Sequence, residues 1–235
     1  MSSFKLAIAA KKYSSWSLRP WVLLRGLDIP FTEVCVEIAG GANGSPNPAL
    51  LAISPSGLVP CLGTSEGPIW DSLAISEYLY EVDSRVWPAD KVARAFARCM
   101  SAEMHSGFPD VRGTLSMNIA YILPNPLPVE PGSRLDSQLK RIAALWVEAR
   151  TRFGIPSGQG PFLFGAFCAA DAMYCPVAFR FKTYGIRLED PIAEAYAQAI
   201  LAHPAAKEWE AAALVEPTTI EAYDAHVEKL GGVRR

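Results

Sequence analysis

Strand-length apolar patterns stop near residue 83, and that change constrains the fold more than any other feature. Before it, strand-length apolar runs alternate with helical patterns. Residues 4–10 form a short apolar run fit for a buried strand. Leu18, Trp21, Val22, Leu24 and Arg25 then recur at helical spacing until Gly26, Asp28 and Pro30 stop the pattern. Residues 31–37 alternate like a strand, with Phe31, Val34 and Val36 among polar neighbours. Residues 39–48, rich in Gly, Asn, Ser and Pro, read as a loop, and 49–53 as one or two helical turns. Residues 59–63 and 68–70 are short strands around a Ser-Glu-Gly turn. Residues 71–82 are a helix with Leu73, Ile75, Tyr78, Leu79 and Val82 on its apolar face. The order β-α-β-α-β-β-α within about 80 residues describes a compact α/β unit.

Beyond a charged, aperiodic linker over 83–91, strand signals nearly vanish. A long helical pattern covers 92–117, with breaks expected near Gly107 and Pro109. Residues 135–153 carry Leu139, Ile142, Leu145, Trp146 and Ala149 on one face. Helices follow over 169–182, 191–201 and 204–214, and the tail 216–235 is weakly patterned. Two domains are expected: an α/β unit over 1–83 and an all-helical one over 92–235.

The formal net charge of the 235 residues is -2, so no global positive field favours nucleic acid or an anionic membrane. No apolar run approaches the roughly 20 residues of a membrane-spanning helix. The paired Lys11 and Lys12 follow rather than precede the N-terminal apolar stretch, unlike a secretory signal. The expected setting is cytoplasmic. Cys35, Cys61, Cys99, Cys168 and Cys175 are odd in number, scattered and free of any C-x-x-C spacing, which supports neither a dithiol nor a zinc motif. Cys35, Cys61, Cys168 and Cys175 sit in apolar surroundings and read as small buried residues in a reducing compartment.

Three segments carry chemistry. In Tyr13-Ser14-Ser15-Trp16-Ser17-Leu18-Arg19, hydroxyls cluster where a strand hands over to a helix. The first turn of a helix has unpaired N–H groups and a partial positive charge, which favour a thiolate. In Ser54-Pro55-Ser56-Gly57-Leu58-Val59-Pro60, a cis Val59–Pro60 bond would turn the Val59 backbone toward a peptide ligand. Asp71-Ser72 opens a helix, where Ser72 can meet a carboxylate and Asp71 an ammonium group. Taken singly, the serines and Asp71 are as well explained by helix capping, and Pro60 by an ordinary edge-strand proline.

Their order and spacing resemble the N-terminal domain of the glutathione S-transferase family. Ser14, Ser15 and Arg19 are similar to the zeta-class signature Ser-Ser-Cys-x-x-Arg, with Trp16 in place of its Cys. Asn47-Pro48 and residues 54–60 resemble the family's Asn-Pro and Val-Pro segments. Residues 70–79 resemble its acid-Ser helix almost throughout. In the helical half, Cys168-Ala169-Ala170-Asp171 resembles a Ser/Thr-x-x-Asp capping box with Cys168 departing from the pattern.

The resemblance implies a thioredoxin-like domain followed by an all-helical domain, the cytosolic glutathione transferase fold. It implies glutathione as co-substrate, no metal, and a homodimer, with no nucleic-acid or membrane partner. Ser14 or Ser15, not Tyr13, would donate to the glutathione sulfur. Val59, with Pro60 cis, would pair with the cysteinyl backbone, and Asp71 and Ser72 would hold the γ-glutamyl end. Trp16 and Arg19 would lie at the same site. Met104, His105, Phe108 and Arg112 would line the pocket for a small electrophile, Met104 and Phe108 sharing a helix face; core packing explains those two equally well. Maleylacetoacetate isomerases of the zeta class resemble one another in an Arg after the capping-box Asp. That position is Thr183 here, with Arg180 and Lys182 near it but out of register. The expected activity is Ser-type glutathione transfer. A glutathione-dependent isomerase and a non-catalytic glutathione-binding carrier are the alternatives.

Overall fold

The structure is a computed structural model that describes residues 4–37 and 47–235. A four-stranded mixed sheet is built from β1 (Phe4–Ile8), β2 (Phe31–Cys35), β3 (Cys61–Thr64) and β4 (Gly67–Trp70), in the order β2-β1-β3-β4. β1 pairs parallel with β2 and antiparallel with β3, which pairs antiparallel with β4. The parallel pair needs a crossover, supplied by α1 (Ser15–Gly26). The turn α2 (Pro48–Leu51) is capped by Asn47, whose side chain accepts from the Ala49 amide. The helix α3 (Ser72–Val82) follows β4. Most of the segment expected as a loop over 39–48 lies outside the described residues.

The helical half contains α4 (Lys91–Ser106), α5 (Pro109–Thr114), α6 (Arg134–Ala149), the short turn α7 (Ile155–Ser157), α8 (Ala169–Tyr184), α9 (Pro191–Ala202), α10 (Pro204–Val215) and α11 (Glu221–Lys229). The expected break near Gly107 is there: α4 stops at Ser106, and Phe108 takes a left-handed φ of 56° before Pro109 opens α5. The pattern over 135–153 yields an α-helix only to Ala149, after which the backbone widens into a π turn over Arg150–Gly154.

The tail departs from its sequence reading. It holds α11 and a strand β6 (Val233–Arg234) that pairs with β5 (Tyr121–Ile122), so the helical half carries a small two-stranded sheet. The pairing is two residues long and depends on a partner more than 100 residues away, so no local alternation announces it.

α8 is buried along nearly its whole length and packs against α1, α4 and α9, joining the two halves. Asp171 ties its N-terminus down, accepting from the amides of Cys168 at 2.9 Å and Leu163 at 3.0 Å. That is the return half of the expected capping box. Cys61, Cys168 and Cys175 are buried, but Cys35 is exposed. β2 is an edge strand, and the last residue of its alternation faces out, so apolar neighbours in sequence did not bury it.

Candidate active site at the sheet end

Register places three chain segments at one end of the sheet. Ala7 pairs with Cys61, and Cys61 with Trp70. The turn after β1, the segment before β3 and the start of α3 therefore leave the sheet side by side. Val59–Pro60 is a cis peptide bond and lies just outside the β3 ladder.

Ser14 is the N-cap of α1. Its Oγ accepts from the Ser17 amide at 3.2 Å and donates to Ser17 Oγ at 2.7 Å. Ser17 Oγ also accepts from the Ala9 amide at 3.1 Å, tying the helix start to the end of β1. Ser15 Oγ instead accepts from Arg180 Nη2 on α8, at 3.2 Å. Tyr13 turns away from both serines. Its hydroxyl donates to Asp224 Oδ1 at 3.0 Å and accepts from the Ile220 amide at 3.2 Å. Burial, together with the bonded Asp224 carboxylate, pushes the phenol up to about 12.

At the start of α3, Asp71 has φ 75°, a left-handed value uncommon for a residue other than glycine. Its Oδ1 caps the helix through the amides of Leu73 and Ala74, at 2.8 and 3.2 Å. Its Oδ2 lies 3.2 Å from His105 Nε2 on α4. Burial holds His105 below the ordinary imidazole value, against the pull of Asp71 and with the push of Arg19 and Arg112. At neutral pH the contact thus sets a neutral imidazole beside the Asp71 carboxylate. Ser72, 1% exposed, accepts from Arg19 Nη1 at 3.3 Å.

Trp16 is 38% exposed and sits among cations. The guanidiniums of Arg19 and Arg112 lie 4.3 and 5.6 Å from its ring centroid, and the His105 ring meets it edge-on at 5.4 Å. Arg112 is anchored on the carbonyls of Met104 and His105. Burial, then repulsion from Arg112 and Arg180, pulls Arg19 down to about 9. Met104 and Phe108 are buried in the hydrophobic core, and Phe108 lies beyond the end of α4, so the two do not share a helix face. Two surface cavities, of about 240 Å³ beside Tyr196 and about 620 Å³ between Leu127 and Leu188, contain none of the site residues. Among the described residues, no three His, Cys, Asp or Glu side chains converge as a metal site would require.

Two contributors escaped the sequence reading. Arg180, out of register with the isomerase arginine, is the one arginine in the buried α8 and meets Ser15 directly. Its isolation in an apolar helix is a usable signal, because a buried cation needs partners. Asp224, which holds Tyr13 OH and Asn118 Nδ2, lies in the weakly patterned tail and gave no signal.

Residues 13–82 match the family model of the glutathione S-transferase N-terminal domain. No curated protein is similar enough in sequence to count as a relative. Among solved structures, a glutathione transferase homolog from Burkholderia BGR1 with bound glutathione superposes with TM-score 0.62 at 20% identity, covering 90% of this chain and 97% of that one. A theta-class glutathione S-transferase from Xanthomonas axonopodis pv. citri, also with glutathione bound, gives 0.61 at 23%, covering 92% and 100%. A tau-class enzyme from mango, Mangifera indica, gives 0.63 at 19%, covering 97% and 98%. The fold is that of the glutathione transferases: a thioredoxin-like sheet domain followed by a helical domain.

Proposed function

We propose that this protein is a Ser-type glutathione transferase, with the glutathione-binding domain over residues 1–83 and the helical domain over 92–235. The observation that carries the reading is the convergence at one sheet end of the α1 serines, the cis Val59–Pro60 segment and the Asp71–Ser72 helix start. Glutathione presents three matching features: a thiol, a cysteinyl backbone and an α-amino-acid head. The N-termini of α1 and α3 would set their partial positive charge against the thiolate and the carboxylate. The serine hydroxyl stabilises the thiolate, which attacks an electrophilic carbon of a small second substrate. Tyr13 is occupied by Asp224 and Ile220, which supports a serine rather than a tyrosine donor. Trp16, His105 and Arg112, which lie against one another beside these elements, would border the electrophile. Five free thiols suit a reducing cytoplasm, and a homodimer is the expected assembly.

Calorimetry with glutathione, followed by thiolate absorbance of the complex and conjugation of aryl halides, epoxides and unsaturated carbonyls, tests this. Binding with a lowered thiol pKa and turnover of at least one electrophile class supports it. Binding without thiol activation would leave a carrier, and turnover of a maleyl keto acid without conjugation would leave an isomerase.

A further inference from the structure

Resting on that reading, we propose that Ser15, not Ser14, donates to the glutathione sulfur, and that Arg180 of the helical domain orients it. With Arg19 and Arg112, Arg180 completes a cationic bed for the thiolate.

Hydrogen-bond bookkeeping distinguishes the serines. A hydroxyl has one hydrogen. That of Ser14 is committed to Ser17 Oγ, and its oxygen caps the Ser17 amide. Ser15 Oγ is an acceptor from Arg180, and among the described residues its hydrogen has no acceptor. An oxygen polarised by a guanidinium is also the better donor, since bonds in a chain strengthen one another. Arg180 is fixed for this task. Its Nη1 donates to the carbonyls of Arg112 and Leu115 at the end of α5, leaving Nη2 on Ser15.

The charges around Ser15 call for an anion. Arg19 and Arg180 are 2% and 6% exposed, and Arg112 is half-buried beside them. Among the described residues, none of the three forms an ion pair with a carboxylate. The acid that acts on Arg19 is Asp71, which is already shared between its helix cap and His105. Burial holds the neighbouring His105 imidazole below its ordinary value and the Tyr174 and Tyr184 phenols above theirs, so these add no counter-charge at neutral pH. Arg19 Nε is buried without any partner. Buried cations left uncompensated are costly, and an anion seated against them recovers part of that cost. In the step itself the thiol proton leaves to solvent, the Ser15 hydrogen stays on its oxygen, and the sulfur lone pair accepts it.

The test is a pH titration of thiolate absorbance for glutathione bound to the full chain. It uses wild type, Ser14→Ala, Ser15→Ala, Ser15→Thr and Arg180→Lys. The expected result is that Ser15→Ala raises the bound thiol pKa by about one unit or more, the size expected for losing a hydrogen bond to a charged group. Ser15→Thr restores it. Arg180→Lys shifts it in the same direction, since a point ammonium cannot reproduce the fork that holds Ser15. Ser14→Ala shifts it less than Ser15→Ala and instead lowers Tm through the lost cap. If Ser14→Ala shifts the pKa as much as Ser15→Ala, or Ser15→Ala leaves it unmoved, the assignment is wrong. An unmoved thiol with weakened affinity for carboxylated electrophiles would mean that the cations hold a second-substrate carboxylate instead. Should Arg180→Lys fail to fold, the Ser15→Ala and Ser15→Thr pair still decides. Wild-type protein that shows no glutathione binding by calorimetry defeats the functional reading itself. Binding with an activated thiol indifferent to Ser15→Ala defeats only this inference.

Discussion

Replacing Ser72 by alanine removes one oxygen that serves both the fold and the ligand. In the free protein, Ser72 Oγ accepts from Arg19 Nη1 at 3.3 Å, and among the described residues it is the one hydrogen-bond acceptor Arg19 has. Arg19 is almost fully buried and its Nε already lacks a partner, so solvent cannot replace the lost oxygen. A hydrogen bond to a charged group contributes about 1.5–3 kcal/mol. At this chain length each kcal/mol moves Tm by roughly 2–4 °C, so Ser72→Ala should melt roughly 3–12 °C below wild type. In the complex, the same hydroxyl would meet the glutathione carboxylate at the α3 N-terminus, a group charged in both ground and transition states. Its loss therefore weakens binding without changing turnover: the Michaelis constant for glutathione should rise about tenfold or somewhat more, and kcat should stay within a few-fold. Differential scanning calorimetry and kinetics over a wide glutathione range read the two effects separately. An unchanged Tm would mean that the Arg19 contact contributes nothing. An unchanged Michaelis constant with a collapsed kcat would place Ser72 at the sulfur and reverse the orientation of the ligand.

Tyr13→Phe should lose about 1–2 kcal/mol of stability, because the Ile220 amide and Asp224 lose their shared partner, while conjugation stays within a few-fold; abolished conjugation would restore a tyrosine donor. Gly26→Ala should destabilise by about 1–3 kcal/mol in urea melts, since a Cβ there would come within 2.5 Å of the Phe167 ring; a neutral result would show that the ring moves aside freely. His105 binds its proton less readily folded than unfolded, so the unfolded chain takes up the proton first as pH falls. The stability His105 contributes is complete above its ordinary value near 6.5 and is lost as pH drops through that value toward the depressed one. His105→Gln should flatten the pH dependence of stability in that window, and an unaltered slope would show that His105 titrates normally.

Several features of the fold could be read directly from residue patterns because their causes are local. Ser14, Asn47, Asp71 and Asp171 act on amides two or three residues away, so cap positions follow from spacing. The helix end at Gly107–Pro109 follows from proline chemistry, since the residue before a proline is pushed out of the helical region. The face of α6 follows from its 3.6-residue repeat, and its Leu139, Ile142, Leu145, Trp146 and Ala149 are all buried. The π turn after Ala149 has no such local marker, because the apolar period runs on through it. Cys35 was misplaced because alternation tells one face from the other, not whether an edge strand is covered.

The linear order of residues thus determined the two-part architecture, the helix starts, and the three segments from which a glutathione site can be built. Only the tertiary structure decided how these segments are wired. Ser15 meets Arg180 across 165 positions, Tyr13 is claimed by Asp224 across 211, and Asp71 takes His105 from another helix. The apolar residues all around α8 mark it as a buried helix. They do not specify where its buried Arg180 is aimed. That direction comes from the packing of α8 on α1, and the packing is a property of two surfaces fitted together, which neither segment contains alone.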